Sequence, residues 1–136
     1  MDIVKAEVKP SERGPGEWFT GVVWLDEIVS TGHSSSLRVH RVTFEPGART
    51  AWHTHPIGQV LHVLSGIGRV QQAGKAVQTV RPGDTIHIAP DEKHWHGAAP
   101  NRVFVHLALQ EAEEDGTEAT WLNHVSDAEY FSNNNP

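Results

Sequence analysis

Two histidines one residue apart, His53 and His55, are followed by an amide at Gln59 and, much later in the chain, by His94. Residues two apart on an extended strand point to the same side, so His53 and His55 would present their rings together. The turn Pro56, Ile57, Gly58 could fold the next strand back and bring Gln59 beside them, and His94 lies beyond a second turn at residues 90–93. Three imidazoles and one amide oxygen form a donor set suited to a divalent first-row cation, with open positions left for water or substrate. Manganese, iron, zinc and nickel all fit it. All four donors are uncharged, so the whole +2 charge would act on whatever takes the open positions, which favours Lewis-acid work without excluding oxygen chemistry. The chain has no cysteine. Neither a thiolate site, a disulfide framework nor a cysteine nucleophile competes with this reading.

The elements that must position these donors read as strands. Segments of five to nine residues alternate with turn signals at 19–25, 37–45, 50–55, 59–65, 68–72, 76–80, 85–89, 94–98 and 102–110, a spacing that favours an all-β sandwich or barrel. Residues 10–17, with two prolines and two glycines, read as an irregular loop. Ser126 can cap a short C-terminal helix over 127–131, with Asp127 and Glu129 at its positive end, and the tail after Ser132 reads as frayed. Strand phase then sorts the side chains. One face of 37–45 carries Arg38, His40, Val42 and Phe44, and one face of 102–110 carries Phe104, His106, Ala108 and Gln110; both suit a barrel interior. The opposite face of the second strand is wholly apolar (Val103, Val105, Leu107, Leu109), so a homo-oligomer, dimer or tetramer, is expected.

With 136 residues the chain is expected to form a single domain, 1–136, with a barrel core at about 37–110. A net charge of −6 lacks the basic surface that nucleic acid requires, and no apolar run is long enough to span a membrane. The N-terminus shows no basic flank followed by an apolar stretch, so a cytoplasmic protein acting on a small molecule is expected. Of the ten histidines, His33, His62, His87 and His124 read as surface or packing residues. Trp52 and Trp95 fall out of phase with the donors and read as packing.

The pattern of Gly47, His53, His55, Gln59 and Gly66, followed by Gly83, Asp84, Pro90 and His94, resembles the two motifs of the cupin superfamily. Three positions depart from it: Ala89, Asp91 and Ala98 stand where proline, glycine and asparagine are usual. Aspartate tolerates a left-handed backbone, so the turn before His94 can survive. Longer runs, Trp18 to Gly21, Thr43 to Pro56, Glu92 to Pro100, His106 to Ala108 and Val125 to Asp127, resemble the bacterial manganese-dependent cupin hydroxynitrile lyases.

The resemblance implies a double-stranded β-helix, or jelly-roll barrel, that binds Mn2+ through His53, His55, Gln59 and His94 and cleaves cyanohydrins of the (R)-mandelonitrile type. It also implies His106 as the acid and base beside the metal, delivering a proton to departing cyanide. Val42 and Phe44 would form apolar walls of the substrate site, Ala108 would leave room, and His40, His96 and Gln110 would be polar contacts. Position 40 departs from the family, with His40 in place of a small residue. Two other classes use the same donor set: an iron-dependent dioxygenase, and a non-catalytic metal or small-ligand binding protein.

Overall fold

The structure, a computed structural model, describes residues 1–30 and 34–132. His33 and the tail after Ser132 lie outside the described residues. Among the described residues a 3-10 turn at Ala6–Val8 precedes thirteen short strands: β1 (Glu12–Arg13), β2 (Phe19–Thr20), β3 (Val23–Val29), β4 (Leu37–Phe44), β5 (Arg49–Thr50), β6 (His53–Thr54), β7 (Gln59–Gly66), β8 (Gly68–Gln72), β9 (Gln78–Val80), β10 (Thr85–Ile88), β11 (His94–Ala98), β12 (Phe104–Glu111) and β13 (Thr120–Trp121). One helical turn, α1 (Asp127–Tyr130), follows. The strands form two antiparallel sheets. The first runs β1-β3-β4-β12-β7-β10; the second runs β13-β6-β11-β5-β2, with β8 added on β11 and β9 on β8. This is the expected all-β architecture with a short C-terminal helix.

Alternation within the long strands makes the core. Val23, Val42, Phe44, Leu61, Val63, Phe104 and Ala108 of the first sheet pack with Phe19 and Ala98 of the second and with Val80. Phe44, Phe104, Leu61 and Val23 of the first sheet are completely buried, and each contributes about 1.5–3 kcal/mol of transfer free energy. A smaller cluster of Trp52, Trp95, Val125 and Tyr130 closes the other side of the second sheet, so both tryptophans are packing residues. Ser126 and Glu129 form a reciprocal cap: Glu129 N–H donates to Ser126 Oγ (3.1 Å) and Ser126 N–H to Glu129 Oε1 (3.0 Å). The helix ends at Tyr130, with Phe131 as its cap.

The expected strand at 50–55 is two strands. Ala51 N–H donates to Trp18 C=O (2.7 Å) and Trp52 N–H to Asn123 C=O (2.9 Å), so the chain leaves one ladder and joins another between the donors. The expected strand at 19–25 likewise divides at Gly21, whose φ is +80°. Within the stretch read as an irregular loop, Glu12 and Arg13 pair with Leu25 and Trp24, an edge pairing too short to leave an alternating pattern. Among the described residues no helix is long and apolar enough to cross a membrane.

Candidate metal centre and active site

The donors converge because two turns hold. The first is set by Gly58, at φ +82°, where a Cβ would lie 2.6 Å from the Ile88 carbonyl oxygen; this close approach brings Gln59 directly opposite Ile88 and Gln110. The second contains Asp91, the single non-glycine residue with positive φ (59°) among the described residues, in the left-handed region that aspartate tolerates. Beyond it, His94 pairs directly across from His53. His53, His55, Gln59 and His94 are all buried, and the rings of His53 lie 5.0 Å and 4.2 Å from those of His55 and His94.

Each of the three rings is anchored through Nδ1 to a backbone carbonyl: His53 to Ala51 (2.8 Å), His55 to Glu118 (2.7 Å) and His94 to Glu92 (2.8 Å). A carbonyl only accepts, so Nδ1 carries the proton and Nε2 keeps its lone pair. Burial lowers the pKa of His53 well below its ordinary value, lowers that of His55, and brings His94 down to about 4. Near neutral pH the rings are therefore uncharged, the form that binds metals. His55 Nε2 is buried without a hydrogen-bond partner. His94 Nε2 lies 3.2 Å from Gln59 Oε1, while Gln59 Nε2 donates away to Gln110 Oε1 (3.1 Å). Two lone pairs thus face each other in a buried site with no proton between them, an arrangement that repels until a cation sits between them. The donor set fits a divalent metal.

His96 joins the cluster: one nitrogen from each of His53, His94 and His96 falls within 4.8 Å of the others. Its Nδ1 lies 2.9 Å from Nε2 of His106, and its Nε2 is buried and unpaired, as is His106 Nδ1. Burial comes first in lowering both rings, His96 well below its ordinary value and His106 to about 4. His106 is wholly buried and lies behind His96.

The cluster opens into a cavity of about 510 Å³ to which His53, His55, Gln59 and His96 contribute. Four residues expected at the substrate site, His40, Val42, Ala108 and Gln110, line it as strand phase requires, with Ala108 directly opposite His40. Phe44 does not. It is fully buried, against Phe104 and His106 with centroids 5.9 and 5.4 Å away, in the apolar core that it shares with Phe19 and Phe104. The sequence reading missed Trp18, Phe19, Leu25, Thr50 and the run Gly116 to Ala119 with Trp121. Trp121 lies on a strand too short to show a period, and stacks on His53 at 4.6 Å and on Trp18 at 5.1 Å. Of the remaining histidines, His62 is half-buried and bonded to Thr85 Oγ1 (2.9 Å), and His87 and His124 are exposed.

Residues 40–107 match the family model described as the cupin domain. The chain is a cupin. It is 47% identical over 130 residues to an (R)-mandelonitrile lyase from Granulicella tundricola, covering 96% of this chain and 98% of that protein. A cupin-like protein from Thermotoga maritima superposes with a TM-score of 0.83 at 38% identity, covering 96% of this cupin and 95% of that chain. A polyketide cyclase from Streptomyces resistomycificus shares the fold, with a TM-score of 0.71 at 21% identity over 96% and 90% of the two chains.

Proposed function

We propose that this cupin is a metal-dependent hydroxynitrile lyase that reversibly cleaves an aromatic cyanohydrin such as (R)-mandelonitrile to aldehyde and hydrogen cyanide. The observation that carries the reading is the buried, carbonyl-anchored histidine cluster opening onto a largely apolar cavity of about 510 Å³, in a chain that matches a mandelonitrile lyase nearly end to end. The volume lies in the range of small-molecule sites.

His53, His55, Gln59 and His94 would hold the metal, and manganese is the ion the family resemblance favours. A bound divalent cation supplies Lewis-acid polarisation of the substrate oxygen. The protein's own groups do the rest. Val42, Leu25 and Trp121 take the substrate's aryl group, with Ala108 leaving space, while His40 and Gln110 offer polar contacts. His96 faces the reacting atoms, and His106 shares its proton from behind across 2.9 Å. In cleavage the hydroxyl proton passes to this pair, the bond between the carbinol and nitrile carbons breaks, and its electrons leave with cyanide. The pair then returns the proton to cyanide, the carbinol carbon is left as the aldehyde, and no oxidant or reductant is consumed. The lowered pKa values suit a pair that holds a proton only briefly.

Leu107 and Leu109 on the outer face of β12 are only half-buried, and the neighbouring Leu64 is exposed. A second copy of the chain covering this face is part of the proposal, checked by sedimentation. The test of function is benzaldehyde release from (R)-mandelonitrile at mildly acidic pH by manganese-loaded protein, before and after chelation. Release that is lost on chelation and restored by Mn2+ is expected. No release from metal-loaded protein overturns the lyase reading, and release indifferent to chelation overturns the metal.

A further inference from the structure

A row of polar side chains crosses three adjacent strands beside the metal donors: Arg38 on β4 stands opposite Gln110 on β12, which stands opposite Gln59 on β7. All three are buried. Gln59 Nε2 donates to Gln110 Oε1 (3.1 Å), and Gln110 Nε2 donates to Glu118 Oε1 (2.8 Å). Glu118 Oε2 lies 3.9 Å from Arg38 Nε, and the Glu118 backbone carbonyl accepts from His55 Nδ1 at 2.7 Å. Glu118 therefore touches the site twice, once through each end of the residue.

An amide side chain can present either its oxygen or its NH2, and only the oxygen can bind a metal. Nothing at Gln59 alone decides the matter. Turned over, its NH2 would donate to the bare Nε2 of His94, 3.2 Å away, and satisfy that nitrogen without any cation. The carboxylate of Glu118 breaks the tie, because it accepts and never donates. It claims the Gln110 NH2, which leaves the Gln110 oxygen facing Gln59; that oxygen claims the Gln59 NH2, which leaves the Gln59 oxygen facing the histidines. Reversing Gln59 would require reversing Gln110 and setting its oxygen against the carboxylate, where each would repel the other.

We propose that Glu118 is a positioning residue for the metal centre, acting through Gln110 to fix the amide of Gln59 with its oxygen toward the histidine cluster. This rests on the metal-binding reading above and adds a residue outside the cupin motifs, on a segment with no regular structure. It also gives Gln110 a role besides lining the cavity.

The test titrates Mn2+ into metal-stripped protein by chelator competition, with unfolding midpoints of the metal-free forms as the check on folding. Glu118→Gln keeps the shape and removes the direction of the row, since an amide can donate or accept; Gln110→Leu keeps the charge of Glu118 and cuts the row. Each is expected to weaken Mn2+ binding about 10–100-fold, the range for groups that orient metal ligands. The discriminating measurement adds Gln59→Glu. A carboxylate at position 59 needs a donor from Gln110, which turns the Gln110 oxygen toward Glu118, so in that background Glu118→Gln should tighten Mn2+ binding. A role through charge alone predicts weakening in both backgrounds, and no loss in Gln110→Leu. Wild-type protein that binds no Mn2+ overturns the metal reading itself. Wild-type binding with undiminished affinity in both single variants, or weakening by Glu118→Gln in both backgrounds, overturns the positioning role alone.

Discussion

His96 Nδ1 and His106 Nε2 lie 2.9 Å apart, with the two rings edge to face at 4.8 Å between centroids. Only one proton fits between two such nitrogens, so the protonation of each ring is dictated by the other. His96 lines the cavity and His106 does not, so under the proposed function the two would act as one acid-base unit with His96 on the substrate side. His96→Ala and His106→Ala should each lower kcat for mandelonitrile cleavage by about 10²–10⁴-fold, the usual contribution of a positioned acid-base group. The double variant should be scarcely worse than either single one, because groups acting as a unit are not additive. Kinetics of the three variants decide it: independent roles would multiply the two losses, and an unchanged rate in His106→Ala would remove that ring from the chemistry.

The buried histidines also set how stability depends on pH. Burial holds His94 and His106 at about 4, well below the ordinary 6.5, and lowers His53, His55 and His96 as well. Above about pH 6.5 these rings are neutral whether the chain is folded or not, and they impose no penalty. Between about 6.5 and 4 the unfolded chain binds protons that the folded one refuses, so folding stability falls as the pH falls through this window. Chemical unfolding of metal-stripped protein at pH 7, 6, 5 and 4 should show a steady loss, and bound Mn2+ should raise the upper part of the curve without changing its slope, because the folded rings already refuse protons there. A flat profile for the stripped protein would mean that the rings are not held neutral.

How far the sequence carries depends on the length of the element. On β4 and β12, eight residues each, period-2 alternation placed His40, Val42, Ala108 and Gln110 on the cavity side, and the structure agrees. Phase could not show where along a strand the cavity ends, and so put Phe44 in its wall instead of in the apolar core. The donors were legible because His53, His55, Gln59 and His94 fall at the spacing of the two cupin motifs, with turn residues between them. Glu118 and Trp121 were not, since a residue on an irregular segment or a two-residue strand carries no periodic signal. Their placement depends on long-range pairing: Trp121 opposite His53, and Glu118 bonded to a strand neighbour of Gln59.

Trp121 offers a separate test of the cavity. Its ring lies on His53 at 4.6 Å with 28° between planes, and on Trp18 at 5.1 Å with 9°, so one side chain forms both a wall and a brace for a metal donor. An aromatic pair contributes about 0.5–1.5 kcal/mol beyond its area, which converts to about 2- to 10-fold in an equilibrium constant. Trp121→Ala should therefore raise KM for mandelonitrile by about that factor while raising KM for a small aliphatic cyanohydrin less, because only the aryl substrate uses the lost wall. Trp121→Phe should recover most of the difference. If both substrates lose equally, and Mn2+ affinity falls with them, the ring serves His53 and not the substrate; if KM for the aryl substrate is unchanged, the aryl group must lie elsewhere in the cavity, on the side of Leu25 and Val42.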